Sequence, residues 1–148
     1  SDGTVSLPSD PLSWGALAGR PLKGYAITSL GDSCGSSGAV PFFKPIDGGA
    51  RPLNVVRNTS FGRAMDINTR GQLVGQIETL TKSNSYQEGA FLWEGIDANP
   101  VDLEKLIDKN SGWDLSYADH INSSGDIAGN GYRNGVPNGL GFIMILKR

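Results

Sequence analysis

The sequence predicts an all-β protein, a repeat-built antiparallel meander, and three observations carry that prediction. The stretch Ala64 to Gly75, AMDINTRGQLVG, returns as Ala118 to Gly129, ADHINSSGDIAG, so that Ala, Ile-Asn, Gly, an aliphatic residue and a second Gly recur in the same order. A fixed offset of that kind marks a repeated supersecondary unit. The chain also has 21 glycines among 148 residues, about twice the usual share of roughly 7%, which demands frequent turns. Lastly, short apolar runs bounded by Gly, Asn and Asp replace the 3.6-residue period of amphipathic helices almost everywhere.

Taken in order, residues 1 to 24 form a lead-in. Pro8, Pro11 and Pro21 with Gly15, Gly19 and Gly24 forbid a long helix and leave short extended pieces at Leu12–Trp14 and Ala16–Ala18. Gly24–Leu30 alternates larger and smaller or polar residues, as a half-buried strand does, and the turn-rich GDSCGSSG of 31–38 reads as a loop. Ala39–Phe43 is a second apolar run, which Pro41 assigns to an edge or a bulge because it cannot donate to a ladder. Asp47-Gly48-Gly49 closes it with a turn. Pro52–Ser60 carries Leu53, Val55 and Val56 and loses its periodicity in RNTS.

The first copy of the motif then reads strand, turn over Asn68–Gly71, strand. Gln76–Gln87 is polar and predicts the end of a strand followed by a long loop, before the apolar strand Gly89–Trp93 and a turn at Gly95–Asn99. In Pro100–Ile107, Leu103, Leu106 and Ile107 have helical spacing and Gly112 is a stop, which predicts one or two helical turns. The second copy is followed by a loop with Asn-Gly pairs at 130–131, 134–135 and 138–139 and by the strand Gly141–Leu146. Gly89–Trp93 and Gly141–Ile145 align as equivalents, with Gly38–Phe42 a diverged third. The expectation is one domain, 1–148, with units at about 25–63, 64–117 and 118–148 and with Ala64, Ile67, Val74, Ala118, Ile121 and Ile127 buried.

A compact chain of this length removes about 68–70% of its unfolded surface from water, enough for a real core. Its 13 basic and 15 acidic residues give a net charge of −2. No run of Lys and Arg interleaved with aromatics appears, so no nucleic-acid partner is expected. Nor does any apolar run approach a membrane span, and the amino end SDGTVSLPSD lacks the pattern of a signal peptide, although a removed signal would leave no trace. Cys34 is the single cysteine, which rules out an internal disulfide and a cysteine metal cage.

The pattern Ala-x-x-Ile-Asn-x-x-Gly-x-aliphatic-x-Gly, followed by a loop and Gly-Ala-Phe-Leu-Trp, resembles the HAF-type extracellular repeat family over 64–95 and 118–146. The first 60 residues match poorly, because Tyr25-Ala26-Ile27 lacks the Asn and glycine that should follow. The resemblance implies propeller-like blades and an extracellular or cell-surface location in bacteria, and it brings no catalytic residues. Propellers need about 4–8 blades. Three units therefore imply either assembly with copies of the same chain, a homo-oligomer, or a different closure such as a pseudo-threefold β-trefoil.

Four constellations invite a chemical reading. Gly31-Asp32-Ser33-Cys34-Gly35 fits G-x-S-x-G, with Asp119 and His120 downstream in the order of a serine esterase. The residues after Ser33 cannot form the helix that supports a nucleophile elbow, so this is an alternative only. Asp66-x-Asn68-x-Arg70-Gly71 opens like a calcium loop, but Arg70 and Ile77 occupy ligand positions, and Asn68 and Asn122 are better read as turn residues bonding their own backbone. His120 is the single histidine, so a histidine metal cluster within one chain is excluded; no metal and no cofactor are expected.

The fourth constellation is aromatic. Trp93 reads as core, while Trp113 and Tyr132, beside Gly/Asn-rich loops with Asn130, Asn134 and Asn138, supply the aromatic and amide surface that a sugar needs. These five are the expected ligand-binding residues. The expected function is that of a non-catalytic secreted or surface binding module for a carbohydrate or protein ligand, with a self-assembling surface repeat and the Ser33 esterase as alternatives.

Overall fold

The computed structural model describes Leu17 and residues 20–146. The extended pieces expected at Leu12–Trp14 and, apart from Leu17, at Ala16–Ala18 lie outside these residues, as does Trp14. The described chain is nearly all β, in three antiparallel sheets that follow one another in sequence. The first joins β1 (Lys23–Ile27), β2 (Ser33–Ser37), β3 (Val40–Lys44) and β4 (Arg51–Pro52) in that order. The second joins β5 (Thr59–Ile67), β6 (Leu73–Leu80), β7 (Tyr86–Trp93) and β8 (Val101–Asp102), also in order. In the third, β10 (Ile127–Arg133) lies between β9 (Trp113–Ile121) and β11 (Leu140–Met144).

The turn opening each sheet has one set of hydrogen bonds, written three times. The Asn68 amide donates to the Gln72 carbonyl at 3.0 Å, the Gly71 amide to the Asn68 carbonyl at 3.0 Å, and Asn68 Oδ1 accepts from the amides of Arg70 and Gln72 at 3.0 and 3.1 Å. Asn122 makes the same four bonds with Asp126, Gly125, Ser124 and Asp126 again. Thr28 makes them through its hydroxyl, with Asp32, Gly31, Leu30 and Asp32. Gly31, Gly71 and Gly125 have φ of 93°, 76° and 88°, values a residue with a Cβ adopts at a cost. The reading of residues 25–35 is corrected accordingly: the glycine is present as Gly31, and a threonine occupies the asparagine's place.

Asn68 is also buried, and its Nδ2 donates to the Asn122 carbonyl at 3.0 Å, tying the second turn to the third. Replacing it with Ala leaves two turn amides and that carbonyl without their partner, so we expect Asn68→Ala to cost about 2 kcal/mol in urea titration. The exposed Asn122→Ala is expected to cost about half as much. Equal losses would show that burial and the bridge contribute nothing.

Each sheet has a bulge on its first strand, after Gly24, Ala64 and Ala118, and each of those residues pairs with a glycine, Gly35, Gly75 or Gly129. On the next strand the partner of that glycine is Phe42, Phe91 or Phe142. The sequence alignment of Gly38–Phe42 with Gly89–Trp93 and Gly141–Ile145 is thus off by two residues and by one, because hydrogen-bonding register and not glycine position sets the equivalence.

The sheets stack face to face. Cys34, Phe43 and Leu53 of the first meet Ala64, Ile67, Leu73, Ile77, Phe91 and Trp93 of the second. The other face of the second sheet presents Val74, Ala90 and Leu92 to Leu115, Ala118, Ile121 and Ile127 of the third. All six residues expected in the core are buried. No ladder joins the three sheets, so the described residues do not form the single barrel of a trefoil.

Other expectations need correction. The 31–38 loop contains β2, whose Cys34, Gly35, Ser36 and Ser37 are buried. Pro41 lies on an interior strand, yet β4 pairs only with Phe42 and Phe43. Its carbonyl accepts from the Leu53 amide at 2.9 Å, and since N and C=O of one residue point to the same side, its missing donor falls where that ladder has ended. Gln76–Gln87 is no long loop: β6 and β7 pair out to Leu80 and Tyr86, and the Thr81 amide closes the turn onto the Ser85 carbonyl at 2.8 Å. Asn130 and Gly131 belong to β10. The helical turn after Pro100 is a 3-10 helix, Leu103–Leu106, capped by Asp102.

Candidate functional site

Of the five expected binding residues, register places Trp113, Asn130 and Tyr132 on the third sheet, over both of its faces, while Asn134 and Asn138 lie in the β10–β11 connection. Trp113 pairs with Arg133 on β10, and Tyr132 with Asp114. Adjacent strand residues point to opposite faces, so Trp113 shares the inward face with Phe142, while Tyr132 and Asn130 share the outer one. The Trp113 ring meets Phe142 edge-on at 6.4 Å, and the Arg133 guanidinium lies 6.0 Å from its centroid. Beside it a hollow of about 260 Å³ is lined by Ile107, Leu115, Phe142 and Met144. Tyr132 is exposed and Asn130 Nδ2 reaches Asp119 Oδ2 at 3.5 Å. The Asn134 amide donates to the Gly112 carbonyl at 2.9 Å, and Asn138 is exposed in the β10–β11 connection. The structure gathers these five into no common site.

A different set of residues converges where the first two sheets meet. Lys23 and Tyr25 on β1, Ser36 on β2, and Phe61 and Arg63 on β5 line an open groove of about 440 Å³, with Leu22 at its wall. Lys23 Nζ lies 5.4 Å from the Tyr25 ring centroid, and Arg63 Cζ 6.0 Å from that of Phe61. These are cation–π distances. Arg63 Nε donates to the neutral amide oxygen of Gln76 at 2.9 Å. Ser36 is 5% exposed, and its hydroxyl is 3.5 Å from the Tyr25 hydroxyl. That bond to Ser36 lowers the Tyr25 phenol below its ordinary pKa; burial opposes the shift, while the charge of Lys23 and then the hydrogen bond and charge of Arg63 add to it.

Neither cation meets a carboxylate among the described residues. Among the described residues the charged pair is Arg51–Asp97 at 2.9 Å, and His120 lies 3.8 Å from Asp66, an ion pair only when the imidazole is protonated. The sequence signal for the groove is two short words, Lys-Gly-Tyr at 23–25 and Phe-Gly-Arg at 61–63, each setting a cation two residues from an aromatic. No single window contains both, so the groove leaves no interleaved run along the chain and forms only in space.

The residues of the esterase and calcium constellations have defined places in the fold. Ser33 opens strand β2, and no helix follows it. Both Asp66 oxygens serve the protein, Oδ1 accepting from the Ile67 amide at 2.9 Å and Oδ2 from the Ile121 amide at 2.8 Å. No group of three or more His, Cys, Asp or Glu that would hold a metal occurs among the described residues. Burial, followed by the charge of Asp66, pushes the Cys34 thiol up to about 12.

That shift sets a testable pH dependence. The thiol is neutral in both states below the unfolded value of about 8.5, so it makes no stability difference there. Above that pH the unfolded chain loses its proton first, and stability falls as pH rises toward the folded value. We expect thiol labelling near pH 8 to proceed only as fast as unfolding exposes Cys34, and alkaline destabilisation above about pH 9 to shrink in Cys34→Ala. Rapid labelling of the folded protein would contradict the burial.

Comparison of the chain with family models, curated proteins and solved structures returns no match. The fold and the groove therefore carry the functional reading by themselves. No described helix is long and apolar enough to cross a membrane.

Proposed function

We propose that this chain is a non-catalytic binding module of a secreted or surface protein, built from a propeller-type repeat, and that it binds a glycan. The observation that carries this reading is the groove between the first two sheets, where two aromatic rings and two cations that meet no carboxylate among the described residues surround a buried hydroxyl. Rigid strands hold every one of these side chains, and pockets of this size ordinarily accommodate a small ligand or one unit of a larger one. The thrice-repeated turn supports treating the sheets as one repeated unit. The test is a glycan array of neutral and acidic saccharides. Wild type and Trp113→Ala are expected to retain a ligand that Phe61→Ser loses; an array on which wild type retains nothing rejects the reading.

A second reading, self-association, is favoured by the outer face of the third sheet. Ile143 is 79% exposed, Ile145 73% and Tyr132 56%, an apolar grouping on a face that no other sheet covers among the described residues. Sedimentation of wild type at rising concentration is expected to give a mass above the 15.6 kDa of one chain, and Ile143→Lys to restore the single-chain mass. A wild type that sediments as one chain at every concentration rejects this second reading.

A further inference from the structure

We infer that the groove of Lys23, Tyr25, Ser36, Phe61 and Arg63 selects an acidic saccharide, holding the carboxylate of a uronate-type sugar between its two cations. The inference rests on the binding-module reading above and adds the ligand's charge. Lys23 and Arg63 approach the groove from different sheets, and each is the cation beside one of its rings. In a chain of net charge −2, two cations lining one groove, with no facing carboxylate among the described residues, leave a local positive field. Arg63 spends its Nε on Gln76, which fixes the guanidinium plane, and it also acts as a hydrogen-bond partner of the Tyr25 hydroxyl; a guanidinium has five N–H donors, so others remain for a ligand. A carboxylate placed there gains charge-assisted hydrogen bonds, about twice as strong as neutral ones.

The remaining chemistry favours a sugar over an acidic peptide. Tyr25 and Ser36 place two hydroxyls at the groove, one of them nine-tenths buried, and their separation of 3.5 Å marks a weak mutual bond. A hydroxyl can both donate and accept, so the pair is able to exchange that bond for stronger ones to ligand hydroxyls. The rings of Tyr25 and Phe61 supply flat apolar surface for the C–H face of a pyranose. The volume of about 440 Å³ falls within the range of about 300–1,000 Å³ typical of small-ligand sites.

The test is calorimetric titration of the whole chain with a linear trigalacturonide, with the same trimer after reduction of its carboxyl groups, and with hexaglutamate. The trigalacturonide is expected to bind, with affinity falling at high salt. Reduction of its carboxyls, and each of Lys23→Gln and Arg63→Gln, should weaken binding about tenfold or more. Arg63→Lys should recover part of the loss. Circular dichroism and an unchanged unfolding midpoint would establish that each variant is folded. Equal affinity for the reduced trimer would overturn the charge assignment while leaving a glycan-binding module standing. Equal or tighter binding of hexaglutamate would assign the groove to acidic peptide instead. Wild-type affinity in both glutamine variants would place binding elsewhere and overturn the inference, and no binding of either saccharide would overturn it too, while the glycan array alone decides the parent reading.

Discussion

Gly75→Ala is expected to destabilise the protein by about 3 kcal/mol or more, the upper end of what overpacking costs. A Cβ built on Gly75 meets the Arg63 carbonyl oxygen at 2.0 Å and the Ala64 Cα at 3.1 Å. Both are backbone atoms of the paired strand, so no rotamer change relieves the clash. The close approach comes from the bulge after Ala64, which draws β5 and β6 together. Gly35 and Gly129 meet the carbonyls of Lys23 and Tyr117 at 1.9 and 2.2 Å, and their alanine variants are expected to behave alike. Gly24→Ala is the control, since nothing lies within 4 Å of its Cβ, and its effect is expected within about 0.5 kcal/mol. Gly71→Ala should lie between, at about 1–2 kcal/mol, because φ is +76° but the space is open. Urea titration with unchanged slope reads the series. A Gly75→Ala protein within about 1 kcal/mol of wild type would show that the strands separate freely at the bulge.

The legible parts of this fold are those in which a side chain acts on its own neighbourhood. Asn68 and Asn122 bond amides two and four residues on, and the glycine after each takes a positive φ; composition and spacing suffice to read such a turn. In the first sheet β1 and β3 were legible, but the repeated turn and the middle strand were not, because the turn uses Thr28 and because β2, Ser-Cys-Gly-Ser-Ser, has the composition of a loop. Its strand state is imposed from outside. β1 and β3 flank it, and a side chain at Gly35 would collide with the Lys23 carbonyl and the Phe42 ring. Small residues there are a packing requirement that intrinsic strand propensity does not register.

The candidate site was hidden for a related reason. Trp113 and Tyr132 belong to one sheet, yet a pairing of Trp113 with Arg133 sends them to opposite faces, and a register shifted by one residue would have reversed that outcome. Lys23 and Arg63 are far apart in the chain and meet only because the first two sheets stack. A sequence window reports which cations and aromatics exist. It does not report which strand edges become neighbours.

Trp93→Ala is expected to cost about 3–5 kcal/mol, the range for removing a large aromatic from a core. Trp93 is fully buried at the end of β7, paired with Leu73 and packed with Leu53, Ile67 and Leu73 in the core between the first two sheets. Its indole Nε1 also donates to the Asn54 carbonyl at 2.8 Å. Asn54 belongs to the segment that carries the chain from the first sheet to the second, and its own Nδ2 donates to the carbonyls of Asp97 and Ala98 at 3.1 and 3.4 Å. The truncation therefore opens a cavity and releases a connection at the same point. Trp93→Phe separates the two effects: it keeps most of the ring, loses the donor, and is expected to cost about 1–3 kcal/mol through the orphaned Asn54 carbonyl and the smaller volume. If the connection matters as the hydrogen bonds indicate, hydrogen exchange at Asn54 and Val55 should quicken in both variants, and by more than exchange in the core between the second and third sheets. A loss below about 1 kcal/mol for Trp93→Ala, or exchange quickened evenly throughout the chain, would show that the indole neither fills this core nor holds the connecting segment.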